Sequence, residues 1–179
     1  YSALTALKSN DDECKVLFHD AVRPLVTQQI IEDCIDTLDN FEAIDVVIPS
    51  ADTIVEVYDD GCISNIPNRS MMRRGQTPQG FRLGSIQEAY RLAIEKGRKQ
   101  FTCDCGVIRA MLPHTRVATV AGDDRNIKVT YPMDLLIAEK FLQAGNEKAF
   151  ISNDSLDFLK DKVIVIFGVT SGIGLEIKI

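Results

Sequence analysis

Short apolar runs alternate along the chain with stretches in which apolar residues recur at helical spacing. Residues 15–19 (KVLFH) and 44–48 (IDVVI) are rich in β-branched and aromatic residues and predict buried strands. Between them, apolar residues recur at helical intervals over residues 27–38, which predicts a helix with Thr27 as its N-cap. Because strands alternate with helices, the pattern predicts an α/β protein with a sheet rich in parallel strands.

The second half of the chain continues this alternation. Ser85 and Glu88 form a capping-box signature, which predicts the start of a helix that ends before Gly97. Residues 116–121 predict a further strand, and Pro132 is suited to the first turn of another helix. Ligands of such sheets bind at the carboxyl ends of the strands, so we expect functional residues in the loops that follow strands.

Residues 53–81 have a different pattern, with strand propensity but polar residues on both sides. A turn signal at residues 59–61 (DDG) divides the stretch, which predicts a β-hairpin arm that projects from the body of the protein. Such an arm exposes strand edges and apolar side chains that a monomer would leave in water. We therefore expect the arm to pack against a second subunit and form a homodimer.

Charge and composition exclude two classes of partner. The net charge is -6 and no basic cluster extends beyond Arg73 and Arg74, so binding of nucleic acid through its phosphates is not expected. The sequence contains no apolar run of transmembrane length and no recognisable signal peptide, so no membrane partner is expected. We expect a cytoplasmic protein.

The five cysteines form an odd count without the framework of a secreted domain, which favours reduced thiols. Cys103 and Cys105 flank a single residue, Asp104, and this spacing raises the question of a zinc site. Only His19 and His114 could complete such a site, and there is no second cysteine pair. Zinc is therefore the weaker interpretation.

The stretch from residue 162 onwards has features of a dinucleotide-binding turn. Residues 163–167 (VIVIF) predict a buried parallel strand, and three glycines follow within seven positions. Glycines there let the backbone approach a pyrophosphate, although a Gly-rich turn can follow any buried strand. The pattern is similar to the T-G-x-x-x-G-x-G turn of the short-chain dehydrogenase/reductase family, with Phe167 in place of its Thr. The cofactor-binding residues that this similarity implies are Gly168, Ser171, Gly172, Ile173 and Gly174.

The loops after the predicted strands hold the other candidates. Asp20 directly follows the first strand and is well placed to bind Mg²⁺ or a ribose hydroxyl, but it could also be a turn residue paired with Arg23. Lys128 could be a lysine on a surface strand, and Thr77, which precedes Pro78, could belong to a plain turn. The residues taken one at a time leave these alternatives open.

Three motifs, HDAVRP, GQTPQGF and GDDRNIKVTYPMDLLIAEKFL, occur in this order over residues 19–142. Together they closely resemble the cytidylyltransferases that activate methylerythritol 4-phosphate or ribitol 5-phosphate with CTP. The resemblance implies a Rossmann-like nucleotidyltransferase sheet with a projecting β-hairpin arm. The Gly-rich CTP loop of that family has no counterpart in the sequence, so the domain is expected to be incomplete at its N-terminus.

The same resemblance implies roles for individual residues. Lys128 would contact the α-phosphate of CTP and the substrate phosphate, and Asp20 would serve the nucleotide and Mg²⁺. Asp124, or its neighbour Asp123, would complete the metal site. Arg69 would read the polyol phosphate across the dimer interface, although it could also be a solvated residue of the arm. The implied catalytic residues are Lys128, Asp20, Arg69 and Thr77, the nucleotide-binding residues Ser2, Asp20 and Ala21, and the substrate-binding residues Thr53, Arg69, Thr77 and Lys128.

The two resemblances divide the chain into a cytidylyltransferase domain (residues 1–144), a linker (145–161) and the start of a reductase domain (162–179). They imply transfer of CMP from CTP to ribitol 5-phosphate, which gives CDP-ribitol and pyrophosphate. The fused reductase would make ribitol 5-phosphate from ribulose 5-phosphate with NADP(H), and the choice between NADP and NAD is open. Two alternatives remain: methylerythritol 4-phosphate as the substrate, or a non-catalytic scaffold that dimerises the reductase.

Overall fold

The computed structural model describes residue 4, residues 11–145 and, for their backbone, residues 163–167. Strands and helices alternate through most of this range, as the hydrophobic pattern predicts. A two-stranded hairpin and one turn of 3₁₀ helix (Arg69–Met71) lie between Pro49 and Arg73. In chain order the elements are β1 (Lys15–Asp20), α1 (Gln28–Thr37), β2 (Ala43–Pro49), β3 (Glu56–Val57), β4 (Ile63–Asn65), β5 (Arg73–Arg82), α2 (Leu83–Glu95), α3 (Asp104–Met111), β6 (Val117–Ala121), α4 (Pro132–Gly145) and β7 (Val163–Phe167).

The main sheet has five strands in the order β6-β2-β5-β1-β7. β2 pairs with β6 in parallel, and β1 pairs with β7 in parallel. β5 lies between β1 and β2 and is antiparallel to both, so the sheet is mixed. Since β1 and β2 are each antiparallel to β5, they run in the same direction, and the carboxyl ends of β1, β2 and β6 lie at one edge of the sheet. That edge is where the fold class places its ligands.

β5 was expected within the arm, and this prediction was wrong. Residues 76–81 are mostly buried, and Phe81 at the end of the stretch is completely inaccessible. Pro78 is unusual in a central strand because proline lacks the N–H that such a strand donates. Here it lies opposite an irregularity in the ladder, where the register shifts between Asp45 and Val47 of β2. The projecting arm is therefore confined to the residues before β5.

Helices cover both faces of the sheet, which is the layering that an α/β protein needs to bury two apolar faces. On one face α1 packs over Leu17, Ile44 and Val120. On the other face α2 and α3 pack over strand residues that include Phe18 and Phe81, whose ring centroids are 5.2 Å apart. Within the described residues, no helix combines the length and apolar character required to cross a membrane.

The helix boundaries confirm some of the sequence signals and contradict one. Thr27 caps α1, with its hydroxyl accepting a hydrogen bond from Ile30 N at 3.2 Å, and α2 ends before Gly97, whose φ is +65°. The predicted capping box at Ser85 is wrong because α2 begins two residues earlier, at Leu83. Ser85 Oγ instead donates to Glu42 Oε2 at 2.6 Å. Burial of Leu83 in the core accounts for the earlier start, since its side chain packs with the first turn of the helix.

The arm is a short hairpin in which β3 and β4 pair in antiparallel fashion around Gly61, whose φ is +84°. Its side chains are largely exposed. Such exposed apolar side chains were expected from the sequence to be covered by a second subunit. The homodimer stays a prediction. The exposed apolar residues of the arm and of the segment that leads out of it are Ile54, Val55, Val57, Tyr58, Ile63, Ile66 and Met71.

The C-terminal strand lies beside the first domain's sheet. β7 pairs with β1 from Val16 opposite Val163 to Asp20 opposite Phe167. The sequence pattern predicted a buried parallel strand there, and the parallel pairing is observed. The assignment of residues 162–179 to a reductase domain stays a prediction, and the glycine turn at 168–174, like Ser2 and most of the expected linker, lies outside the described residues.

Candidate active site

Asp20 lies at the carboxyl end of β1 between two cationic side chains. Its Oδ2 atom is 3.1 Å from Lys128 Nζ and 3.4 Å from Arg23 Nε. The Lys128 side chain is 50% exposed. An ion pair with this degree of exposure to water contributes only about 0 to 1 kcal/mol to stability. The ion pair between Asp20 and Lys128 therefore contributes little to the stability of the protein. A half-exposed ammonium group held beside a carboxylate is suited to a phosphate ligand that enters from solvent.

Thr77 reaches the same point from the middle of β5, but its hydroxyl is engaged by protein groups. Thr77 Oγ1 accepts a hydrogen bond from the backbone N–H of Asp20 at 3.0 Å and lies 3.0 Å from Nδ1 of His19. The other ring nitrogen of His19, Nε2, is 3.0 Å from the carbonyl oxygen of Arg23. Thr77 was predicted to line the substrate pocket, and the structure places its hydroxyl against the backbone of Asp20.

The partners of His19 define its protonation. A carbonyl oxygen can only accept, so Nε2 carries the proton and donates it to Arg23 O. In the neutral imidazole Nδ1 is then unprotonated and can accept a hydrogen bond from the Thr77 hydroxyl. Burial is the main influence on the ring and lowers the pKa of His19, which favours the neutral form that these contacts need.

The loop between β6 and α4 carries Lys128 and is fixed by buried polar contacts. Asn126 is completely buried, and its Nδ2 atom donates to Thr77 O at 2.9 Å. Gln76 Nε2 donates to Asp123 O at 2.9 Å, and the N–H of Val129 donates to Val22 O at 2.8 Å. These bonds attach the loop to β5 on one side and to the loop after β1 on the other. Lys128 is thereby held beside Asp20 by backbone that has little freedom to move.

The start of this loop requires glycine. A Cβ added to Gly122 would lie 2.3 Å from Gln76 Oε1, 3.0 Å from Ile48 Cγ2 and 3.1 Å from Val46 Cγ1. Gln76 is itself buried and hydrogen-bonded, so it cannot simply rotate into solvent. The close approach of Gly122 to the sheet is what brings the amide of Gln76 to the loop.

The predicted metal ligands do not form a multidentate cluster. Asp124 Oδ1 is 3.3 Å from Arg74 Nη2, and Asp123 forms a close ion pair with Arg125, at 2.6 Å, whose hydrogen bonds lower the pKa of the Asp123 carboxyl. Among residues 11–145 no group of three or more His, Cys, Asp or Glu side chains is arranged to hold a metal ion. This includes Cys103 and Cys105, of which the first is exposed and the second buried.

A single carboxylate nevertheless fits the coordination of Mg²⁺. The ion pairs of Asp20 are made by Oδ2, which leaves Oδ1 as the oxygen available to a cation. Protein sites for Mg²⁺ with nucleotide substrates commonly supply one or two carboxylates, while phosphates and water complete the octahedron. Asp20 therefore fits a shared site of that kind, in which a nucleotide provides most of the ligands.

The remaining predicted residues are distributed around this site. Ala21 is buried directly behind Asp20. Thr53 and Arg69 are exposed on the arm, where Arg69 Nη1 donates to Ala51 O at 3.2 Å. Within the described residues no hydrogen bond or ion pair connects Arg69 to Asp20 or Lys128.

Sequence reasoning missed four residues that support the site. His19 was considered only as a zinc ligand, and Arg23 only as a possible partner of Asp20. Gln76 and Asn126 were not singled out, although both lie inside the motifs that carry the family resemblance. Their positions within those motifs, next to Thr77 and Lys128, were the available signal.

The fold and the site together define a Rossmann-like nucleotidyltransferase. A cytidylyltransferase from Anaerococcus prevotii, 4-diphosphocytidyl-2C-methyl-D-erythritol synthase, superposes with a TM-score of 0.72 at 29% identity over 79% of this chain and 64% of that chain. The 2-C-methyl-D-erythritol 4-phosphate cytidylyltransferase from Thermus thermophilus gives a TM-score of 0.67 at 29% identity over 79% of this chain and 66% of that chain.

The chain belongs to the 2-C-methyl-D-erythritol 4-phosphate cytidylyltransferase (IspD) family, whose profile matches residues 1–144. It is 43% identical over 180 residues, 98% of this chain, to the bifunctional ribulose 5-phosphate reductase/CDP-ribitol pyrophosphorylase Bcs1 of Haemophilus influenzae. It is 44% identical over 148 residues, 80% of this chain, to the 2-C-methyl-D-erythritol 4-phosphate cytidylyltransferase of Thermobifida fusca. The chain spans 38% of the length of the first relative and 59% of the second.

Proposed function

We propose that this chain is the nucleotide-transferring part of a bifunctional enzyme that makes CDP-ribitol. In this proposal the domain transfers CMP from CTP to ribitol 5-phosphate and releases pyrophosphate. A reductase part of the same protein supplies ribitol 5-phosphate from ribulose 5-phosphate with NADP(H), bound at Gly168, Ser171, Gly172, Ile173 and Gly174.

One observation carries the choice of ribitol. Similarity to the Haemophilus influenzae bifunctional protein extends over 98% of the chain, whereas the family profile ends at residue 144. Similarity to the Thermobifida fusca enzyme covers 80% of the chain. The extra segment, with its glycine-rich turn, supports a protein that joins a cytidylyltransferase to a reductase. A methylerythritol enzyme has no evident use for a fused carbonyl reductase, because its substrate is already reduced.

The chemistry that we propose needs positive charge more than covalent participation by the protein. A phosphate oxygen of ribitol 5-phosphate attacks the α-phosphorus of CTP, and the bond between that phosphorus and the oxygen bridging to the β-phosphate breaks. Negative charge on the oxygens of the α-phosphate is stabilised in the transition state by the Lys128 ammonium group, which Asp20 holds in place at 3.1 Å. Bound Mg²⁺, held by Asp20, would supply further positive charge to the phosphates of CTP.

The substrate phosphate is proposed to be bound by arm residues of a second subunit. Thr53 and Arg69 are exposed, and the guanidinium of Arg69 carries a planar set of donors suited to a phosphate. Packing of the arm on a partner would also cover its exposed apolar side chains. Ser2 and Ala21 would contact the cytidine nucleotide, and Thr77 would border the substrate side of the pocket.

A comparison of two polyol phosphates as substrates tests the proposal directly. The purified full-length protein is incubated with CTP and either ribitol 5-phosphate or 2-C-methyl-D-erythritol 4-phosphate, and pyrophosphate release is measured. We expect a kcat/KM at least about tenfold higher with ribitol 5-phosphate, a difference of about 1.4 kcal/mol in transition-state binding. Lys128→Ala is the control for activity that arises elsewhere.

The two other outcomes identify the alternatives. A preference for methylerythritol 4-phosphate would make this chain an enzyme of the same type as the Thermobifida fusca relative, to which it is 44% identical. Pyrophosphate release with neither substrate, in a protein that still reduces ribulose 5-phosphate, would favour the scaffold hypothesis.

A further inference from the structure

A closed set of hydrogen bonds, which we call the His19 ring, surrounds the backbone of Asp20. The His19 ring consists of His19, Thr77, Asn126 and Arg23. His19 contacts Thr77 Oγ1 and Arg23 O, Asn126 Nδ2 donates to Thr77 O at 2.9 Å, and Arg23 Nη1 donates to Asn126 O at 2.7 Å. The circuit thus joins the end of β1, the middle of β5 and the loop after β6.

Asp20 is attached to this ring by its main chain. Its N–H donates to Thr77 Oγ1 at 3.0 Å, and its carbonyl accepts from Arg23 N at 2.9 Å. The backbone N–H and C=O of Asp20 are therefore both hydrogen-bonded to residues of the His19 ring. These bonds fix the direction of the carboxylate that pairs with Lys128. A hydroxyl has one proton and two acceptor sites, so Thr77 can receive Asp20 N–H while it donates to only one further group. When the imidazole carries its proton on Nε2, His19 Nδ1 accepts the hydrogen bond from this hydroxyl.

We propose that His19 is a positioning residue, which acts through the Thr77 hydroxyl to fix the backbone of Asp20 and, through its carboxylate, the ammonium group of Lys128. This inference rests on the proposed nucleotidyl transfer, because it assigns a role to His19 in that reaction. His19 itself contacts protein groups and reaches the substrate only through Thr77 and Asp20. The charged groups of the described residues that face this arrangement are Asp20, Arg23 and Lys128.

Determining the tautomer of His19 by NMR tests the hydrogen bonds of the His19 ring without any assay of activity. The full-length protein is labelled with ¹⁵N-histidine, and a His19→Gln variant identifies the His19 signals by their disappearance. At pH 7.5 we expect the imidazole of His19 to carry its single proton on Nε2 and to have an unprotonated Nδ1. A Thr77→Val variant should shift the Nδ1 resonance, because its hydrogen-bond donor is removed. A proton on Nδ1 would overturn the proposal, because Nδ1 could then not accept a hydrogen bond from the Thr77 hydroxyl.

Two amide substitutions separate the two bonds of His19. The amide of asparagine occupies the region of Nδ1, so His19→Asn retains an acceptor for the Thr77 hydroxyl but loses the bond to Arg23 O. The longer glutamine reaches the region of Nε2, so His19→Gln retains a donor to Arg23 O but loses the acceptor for the Thr77 hydroxyl. We expect His19→Gln to lower kcat for CMP transfer roughly 10- to 100-fold with little change in the KM for CTP, and His19→Asn to retain most of the wild-type kcat.

The controls distinguish positioning from a general loss of structure. His114→Gln removes an exposed histidine remote from the ring and should leave kcat unchanged. Equal losses in His19→Asn and His19→Gln, or losses that match the fraction of unfolded protein by circular dichroism, would contradict the proposed route through Thr77. If the wild-type protein transferred CMP to neither polyol phosphate, the proposed function would fail, and with it the role of His19 in that reaction. The NMR result would still decide whether the hydrogen bonds of the His19 ring exist.

Discussion

Replacing Gly122 by alanine tests how the loop that carries Lys128 is held. The added Cβ would lie 2.3 Å from Gln76 Oε1, far inside the van der Waals distance, so the glutamine side chain or the loop must move. Ile48 Cγ2 at 3.0 Å and Val46 Cγ1 at 3.1 Å close the other sides of the site. Overpacking of a buried position costs about 1 to 3 kcal/mol, and each lost hydrogen bond costs about 0.5 to 1.5 kcal/mol.

Gln76 loses its bond to Asp123 O if it moves, and we therefore expect Gly122→Ala to lower the free energy of unfolding by about 2 to 4 kcal/mol. Urea unfolding followed by circular dichroism measures this change. The activity should fall as well, because Asp123 and Asn126 belong to the loop that presents Lys128.

Gly106→Ala is the matched control. Gly106 lies inside α3, and the nearest atom to an added Cβ is Cys103 Sγ at an ordinary distance of 3.9 Å. Because alanine favours a helix over glycine, this change should raise the free energy of unfolding by up to about 1 kcal/mol. A destabilisation similar to that of Gly122→Ala would show that loss of any glycine, and not the clash, is responsible.

A double-mutant cycle identifies the clashing group. In a Gln76→Ala background the glutamine amide is absent, so the cost of Gly122→Ala should fall by at least about 1 kcal/mol. If the cost is the same in both backgrounds, the two side chains are not coupled and the proposed reason for the glycine is refuted.

Three further predictions follow from the geometry of the site and the arm. Lys128→Ala should lower kcat for CMP transfer about 100- to 1000-fold, while ribulose 5-phosphate reduction by the same protein continues; parallel loss of both activities would indicate misfolding. Burial raises the pKa of Asp45, so the ionised carboxylate costs stability at neutral pH, and Asp45→Asn should raise the free energy of unfolding at pH 7. This gain should shrink as the pH falls through the pKa of the carboxyl, and a gain that is independent of pH would contradict the assignment. Mixed Arg69→Ala and Lys128→Ala subunits should recover activity if Arg69 acts in the partner's site, and no recovery after confirmed subunit exchange would contradict that arrangement.

Local sequence signals predicted many of the elements because they act over only a few residues. The apolar run that contains Leu17 and Phe18 forms β1, Thr27 caps α1, and Gly97 ends α2 as expected. Asp20 and Lys128 were likewise selected from their positions after predicted strands and from the motif resemblance. Such signals depend on backbone propensity and on one apolar face, which a short segment carries in itself.

The sequence was less informative where distant segments compete for the same backbone. β5 was assigned to the arm because polar residues lie on both sides of that stretch, yet its residues pair with both β1 and β2 in the main sheet. Ser85 has a favourable capping sequence, but burial of Leu83 begins the helix earlier. In both cases long-range packing decides between local conformations of similar energy.

The sequence by itself determined the class of fold and the family, and it selected Asp20 and Lys128, which the structure brings together as an ion pair. Only the tertiary structure decided what holds that pair, because His19 and Asn126 are 107 positions apart in the printed chain and meet through Thr77 of the central strand. A hydrogen bond needs an ordered donor and acceptor about 3 Å apart, and no local pattern encodes that distance across three separate segments. The motifs therefore identify the candidate residues, while the contacts among them come from the packing that brings those motifs together.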